Sequence, residues 1–371
     1  MFIGPSDIKN TKYVTKSEKY ISNDAYLDYK NRFISKDSIM IDCIGSDMGN
    51  VAITKESVLT NQQINSLTNI HVENYNVEYI YYILSTMKHF FHHIGTNGST
   101  MPIINKTMFE NIEIEVVNKE KQDKIAKILS DIDKKIDTNN QINDNLLKLN
   151  NQLYEEYFIN NINENADEIS LKDLIKVVNG YSYKGSELTD ESDIGLATIK
   201  NFERKGGFKE DGFKPLNPQK IKEEQIVEKN DILVACTDLT QQADIIGNAV
   251  LLLGKAEYEK VIISMDLVKI IPKENIDKYV IFSILNSRGF KNFALGYKSG
   301  TTVLHLNKKC FDDFIIKLPA NDKLDIFSKM VKTNYEKISN ILKENRRLEK
   351  LRDTLLPKLM NGEIDIDKIE I

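Results

Sequence analysis

Two long stretches of the chain carry apolar residues at helical spacing, and shorter, differently patterned runs fill the rest. In the first stretch Ile125, Leu129, Ile132, Ile136, Leu146 and Leu153 recur three, four or seven positions apart, with one longer gap. In the second, Phe327, Val331, Ile338, Leu348, Leu355 and Leu359 keep the same register. A three–four spacing sustained over several heptads predicts a coiled-coil seam rather than a general amphipathic helix. The seam also holds Asn139, Asn143 and Asn150 in the first copy and Asn334, Asn345 and Arg352 in the second. Polar groups there weaken a seam and fix its register; a plain helical hairpin that tolerates them is the alternative. Elsewhere, β-like runs such as "IMIDCI", "ILVAC", "EIEVV" and "FIIKL" mix with helical patterns such as "VEYIYYILSTMKHFF". That mixture predicts an α+β fold.

The chain also repeats itself. "GSTMPIINKTMF" (Gly98 to Phe109) matches "GTTVLHLNKKCF" (Gly300 to Phe311) at a constant offset, and the offset continues without a gap through both helices. Upstream the match persists with gaps: "SIMIDC" meets "DILVAC", setting Cys43 on Cys236, and "VEYIYYIL" meets "DKYVIFSI". The predicted organisation is a first globular unit over 1–118, a helix over 119–160, a second unit over 168–319 and a closing helix over 320–364. Each helix would be roughly 55 Å long at ~1.5 Å per residue. The linker near "INNINENADE" reaches at most ~35 Å when extended, too short to run back along the first helix. The expectation is therefore an antiparallel helix pair, a pseudo-two-fold axis, and a globular unit at each end.

Composition changes this picture little. The chain has 371 residues, 41% of them hydrophobic, with three cysteines and a formal charge of −5. Such length predicts more than one domain, and unpaired cysteines predict a reducing compartment. Neither a signal peptide nor a membrane span is legible, so a cytoplasmic protein is expected. A mildly negative total does not advertise nucleic-acid binding, which needs only a local basic face.

Catalytic chemistry is hard to find. "HFFHH" (His89, His92, His93) lacks metal-ligand partners at suitable spacing. Cys43 and Cys236 sit on β-like runs and read as buried small hydrophobes. "GNAVLLLGKAEYEK" lacks the spacing and the Ser or Thr of a P-loop. No nuclease carboxylate cluster or nucleotide fingerprint appears, so no catalytic, metal or cofactor residue is assigned to this chain.

The helix pattern "KIAKILSDIDKKIDTNNQINDNLLKLNNQLYEEYF", the closing "LRDTLLPKLMNGEI" and the paired Gly–Asn–Lys–Phe motifs resemble the specificity subunit of type I restriction–modification systems. The resemblance covers nearly the whole chain. It implies two target-recognition domains, each reading half of a bipartite double-stranded DNA sequence. It implies paired helices that set the unread spacer and dock two DNA adenine methyltransferase subunits, with ATP-driven restriction subunits joining them. S-adenosylmethionine, ATP and magnesium would then sit on the partners. Leu351, Leu355, Leu356, Leu359 and Ile364 would form the family's typical helix end, and Ile125 to Phe158 its central spacer helix. The first unit begins at the point matching "LATIKNF", so about 30 residues of a standard opening are expected to be missing from it.

Candidate DNA contacts follow the repeat. Phosphates are held by Lys, Ser, Thr and backbone N–H groups, which suits Asn97, Gly98, Ser99, Thr100 and Lys106, and their counterparts Lys298, Ser299, Thr301, Thr302 and Lys308. The same loops also fit plain turns before a strand. Tyr181, Tyr183 and Lys184 stand in "NGYSYKGS", where groove contact and packing on their own domain compete. Thr237, Asp238, Gln241 and Gln242 carry groups able to read base edges, as ordinary loop residues also do. A coiled-coil adaptor that binds no DNA, and the recognition part of a related bipartite methyltransferase–nuclease, are the competing functions.

Overall fold

The computed structural model describes residues 1–371 apart from 10, 97–101, 205, 241 and 370–371. It divides into two compact units, Met1–Thr138 with Asn345–Ile371, and Asn139–Glu344. The first unit runs β1 (Phe2–Ile3), α1 (Pro5–Ile8), β2 (Tyr13–Val14), α2 (Asn23–Tyr29), β3 (Ile39–Asp42), β4 (Val51–Thr54), β5 (Leu59–Thr60) and β6 (Ile64–Leu67). Then come α3 (Val77–Thr86), α4 (Lys88–Gly95), α5 (Lys106–Glu110) and the long α6 (Lys119–Glu155). Strands β3 and β4 are buried at every position, as continuous apolar runs should be. Their sheet has the order β2-β4-β3-β6, and β1 pairs in parallel with β5. Helix α3 starts where the Asn76 side chain accepts the N–H groups of Glu78 and Tyr79.

The second unit opens with β7 (Glu168–Ser170), β8 (Ile175–Asn179), β9 (Ile194–Ala197), β10 (Lys214–Pro215), β11 (Ile226–Val227), β12 (Ile232–Ala235) and β13 (Thr237–Asp238). It continues with β14 (Ala249–Leu251), β15 (Lys260–Ile263), β16 (Leu267–Pro272), α7 (Lys278–Leu285) and α8 (Arg288–Leu295). It closes with β17 (Lys298–Ser299), β18 (Leu304–Leu306), α9 (Lys309–Asp313), β19 (Ile315–Lys317) and α10 (Asn321–Met360). Its sheets have the orders β14-β12-β16-β8, β10-β9-β15-β11, β13-β18-β17 and β19-β7.

The sequence repeat is a structural repeat. β4-β3-β6 matches β14-β12-β16, and the parallel β1–β5 pair matches β9–β15. The N–H of Ile104 donates to the Cys43 carbonyl at 2.9 Å, and that of Leu306 to the Cys236 carbonyl at 2.8 Å. The match breaks at the margins: β2 lies beside β4 in the first unit, and β7 and β8 belong to the second. β8 covers the outer edge of β16 and β7 covers β19, whereas the equivalent edge of β6 is open among the described residues.

Both long helices cross the division between units, and within each unit they run antiparallel. In the first, Ile125, Ala126 and Leu129 pack with Leu355, Leu359 and Ile366. In the second, Leu146, Leu153, Tyr154 and Phe158 pack with Phe327, Val331 and Ile338. Asn139, Asn143, Asn150 and Asn345 are buried. The Asn334 amide donates to the Asn150 carbonyl oxygen at 2.7 Å, and the Asn139 amide to Glu344 at 2.9 Å. Ile132 and Leu348 are half-buried, while Leu351 faces solvent. α10 continues through Pro357 to Met360, where a lost N–H bond matters least. Gly362 then takes φ +75°, and the N–H of Ile364 returns to the Lys358 carbonyl. The tail is fastened by Asp367, which pairs with Lys121 at 2.9 Å.

Candidate nucleic-acid interface

In the second unit, three segments far apart in sequence converge. The small sheet β13-β18-β17 sets Thr237 opposite His305 and Ser299 opposite the same His305. The Cys236 N–H donates to the carbonyl of Asp266, whose turn also meets the "NGYSYKGS" loop. There the Tyr181 N–H donates to Ile263, and Gly180 lies so close to Ser264 that an added Cβ would stand 1.9 Å from its carbonyl oxygen. Only glycine allows that approach. Lys308 donates to the Asn179 side chain, tying the third segment to the first.

The exposed face of this band presents Lys184, Gln242, Lys298, Ser299, Thr301, Thr302, His305 and Lys309. These are donors and cations suited to phosphates and base edges. Four expected readers are engaged otherwise. Thr237 and Asp238 are buried. The Asp238 carboxylate accepts the N–H and hydroxyl of Thr240 at 2.8 and 2.9 Å and the N–H of Ile245 at 2.7 Å. Burial works against its charge, yet those donors hold it below the usual carboxylate range. Asp238 is a builder of the loop, not a free reader. The Tyr181 phenol donates to Glu187 at 2.5 Å, and Tyr181 and Tyr183 pack against Leu196, Leu216 and Ile262. Domain packing thus accounts for both rings.

A second buried charge finishes the same loop. The Lys291 ammonium donates to the carbonyls of Ala243, Asp244 and Ile246 and to Asn248. Burial pushes its pKa down to about 8. The loop is therefore held from inside by an aspartate and a lysine, which leaves Leu239 and Gln242 outermost. Beside it lies a cleft of about 860 Å³ of mixed charge, where Lys200, Arg204 and Lys209 stand among Asp144, Glu203 and Asp211, with Lys209 paired to Asp211 at 3.4 Å. Sequence reading passed over these three cations and His305. The run "ERKGGFK" was the available signal.

In the first unit, Asn97, Gly98, Ser99, Thr100 and, in the second, Gln241 lie outside the described residues. Lys106 is exposed and reaches Glu110 at 3.5 Å. Ile44 bridges Ile103, repeating the β13–β18 contact. Asp47 is gripped by Lys88 and Lys9, and their hydrogen bonds hold it down to about 2. His89, His92 and His93 stand exposed on or beside α4. Cys43 and Cys236 are buried, and burial pushes the Cys236 thiol up to about 12. Among the described residues, no group of three or more His, Cys, Asp or Glu could hold a metal ion. No helix among them is long and apolar enough to cross a membrane.

The family model of the type I restriction modification DNA specificity domain matches residues 2–148 and 163–351. The chain belongs to this family. Among its relatives, the type I restriction enzyme MjaIX specificity subunit of Methanocaldococcus jannaschii is 25% identical, covering 99% of this chain and 87% of the relative. The MjaVIII specificity subunit of the same organism is 24% identical over 92% of this chain and 82% of the relative. The crystal structure of a type I restriction-modification S subunit from M. genitalium shares the fold, with a TM-score of 0.55 and 17% identity. It covers 96% of this chain and 91% of that one.

In this family member the helices meet the first unit through a buried polar cluster. The Tyr82 hydroxyl donates to Asp133, which also accepts from Arg352 at 3.1 Å. Lys12 donates to Tyr82 at 2.7 Å and lies 3.3 Å from Glu78 and 3.4 Å from Asp133. Burial lowers the Lys12 pKa, against the pull of both carboxylates.

Proposed function

We propose that the chain is the DNA-reading subunit of a type I restriction–modification complex, with each unit reading one half of a bipartite double-stranded target. The observation that best supports this is the band in the second unit, where a hydrogen-bonded loop and a Lys–Ser–Gly–Thr–Thr hairpin share one small sheet and Lys308 ties the Tyr–Lys loop to it through Asn179. The exposed cations Lys184, Lys298 and Lys309 suit phosphates, and the exposed Gln242 and His305 suit base edges. In this reading the paired helices dock two DNA adenine methyltransferase subunits and the ATP-dependent restriction subunits. S-adenosylmethionine, ATP and magnesium are bound by those partners, this chain supplies no catalytic group, and the assembly works in the cytoplasm.

Methylome sequencing tests the reading. Deleting the gene from a host with intact partner genes should abolish one bipartite N6-methyladenine motif; an unchanged methylome overturns it. DNA affinity should also fall steeply with salt as counterions return, a dependence that a DNA-free adaptor would lack.

A further inference from the structure

The buried asparagines of the seam do not all serve the helix pair. The Asn139 amide donates to Glu344, and Asn150 accepts from Asn334 across the seam. Pairing of this kind is how a polar residue fixes register. Asn143 differs. It is only 8% exposed, and its Oδ1 is enclosed without a hydrogen-bond partner among the described residues. A buried acceptor in that state has lost its water and gained nothing in return.

Asn143 lines a cavity of about 600 Å³ within the second unit, walled by α6, α7, α10 and β14. Leu147, Phe208, Phe282, Tyr335 and Ile338 give it an apolar and aromatic wall. A concave, mostly apolar space of this size with a few polar groups is the usual form of a small-molecule site. Its charged residues balance: Asp144, Glu203 and Asp244 stand against Arg204, Arg288 and Lys291, and the first two acids and Arg204 are shared with the neighbouring cleft. Such a rim selects neither an anion nor a cation.

We propose that this cavity binds a small neutral heteroaromatic molecule whose edge carries a hydrogen-bond donor beside an acceptor. The ring lies against the wall of Phe208, Phe282 and Tyr335, where aromatic contact adds to apolar burial. The edge meets Asn143. With Oδ1 unheld, the amide can turn about its last torsion, which has broad wells, and present its C=O and NH₂ side by side. An adjacent donor and acceptor satisfy both, as an adenine edge does for an asparagine. A water alone would partner the amide and leave the aromatic wall without contact. Asp244 and Asn248 also line the cavity, so the occupant rests against the base of the loop that presents Gln242.

The probe is 7-azaindole, a fluorescent bicycle whose ring N–H lies beside a ring nitrogen; the chain has no tryptophan to mask its emission. Titration with the full chain should show saturable binding. 1-Methyl-7-azaindole, which lacks the donor, should bind about ten-fold more weakly, because the Asn143 carbonyl stays unpartnered. In Asn143→Leu the two probes should bind within about two-fold of each other, since neither finds an amide there. Methyl NMR signals of Leu147, Ile338 and Leu342 should shift over the same range of probe concentration. Absence of saturable binding overturns the proposal and leaves the cavity to water. Equal binding of both probes to the unaltered chain overturns it whether or not Asn143→Leu folds. So does a ten-fold preference that survives in Asn143→Leu, or methyl shifts confined to residues away from the cavity. No DNA enters the measurement, so its outcome is separate from that of the DNA-reading role.

Discussion

The two units hold their long helices with the same backbone and opposite chemistry. The repeat sets Tyr82 on Phe282, Asp133 on Tyr335 and Arg352 on Asn150. In the first unit these positions form a buried hydrogen-bonded ion cluster joined by Lys12 and Glu78. In the second, the Phe282 and Tyr335 rings meet edge to face at 5.0 Å, with Asn150 beside Tyr335. Aromatic contact tolerates the loss of one partner with a packing defect. An ion cluster tolerates it less well, because the buried Tyr82 hydroxyl loses its acceptor while Lys12 and Arg352 are left with one carboxylate each, Glu78 and Asp353. The backbone position is thus common property, while the consequence of breaking it is particular to each unit.

The largest expected effect tests this directly. Asp133→Ala should destabilise the first unit by about 3–5 kcal/mol, since Arg352 and Tyr82 lose their shared acceptor. Combining Asp133→Leu with Arg352→Leu should recover most of that. Hydrogen exchange read separately on each unit would reveal both. Equal losses in the single and double variants would show that the ion cluster is not the seat of the helices.

Next in size is the close approach found in the second unit alone. Gly180→Ala pushes a methyl into the Ser264 carbonyl and should lower stability by about 1–3 kcal/mol, weakening DNA binding as the loop shifts. Gly185, with nothing within 4 Å of its added Cβ, is the control whose alanine variant should behave normally. Smaller still, Lys298→Ala should reduce the salt slope of DNA binding by about one. A like change from Lys106→Ala would make the first unit an equal phosphate contact despite its open edge.

The smallest effect is one of pH. Burial lowers Lys291 from 10.5 to about 8, so the folded chain releases this proton before the unfolded chain does. The unfolded state binds more protons between those values, so the contribution of Lys291 to stability rises as pH climbs from about 8 toward 10.5. Lys291→Met should abolish that increment in denaturant unfolding of the second unit.

The seam was legible because periodicity survives in a single sequence: Ile125, Leu129, Phe327 and Val331 are all buried. The repeat likewise announced the matching sheets through Cys43 and Cys236. What stayed hidden depends on long-range proximity. Nothing in Lys12, Glu78, Asp133 or Arg352 taken singly says that they share one buried site. A carboxylate reads alike in sequence whether it faces DNA or, like Asp238, collects its own loop's N–H groups. Nor does a total charge say that Lys200, Arg204 and Lys209 line one cleft with Asp144, Glu203 and Asp211.

The first unit is stitched from both ends of the chain, since Leu359 and Ile366 share a core with Ile125 and Leu129. On the ribosome its sheet emerges early but its core must wait for the last few residues. The second unit, made later, is contiguous and can close before synthesis ends. The order of completion is therefore the reverse of the order of translation. Until the tail arrives, the nascent first unit exposes the apolar face of α6, making that interval the period when a chaperone matters most.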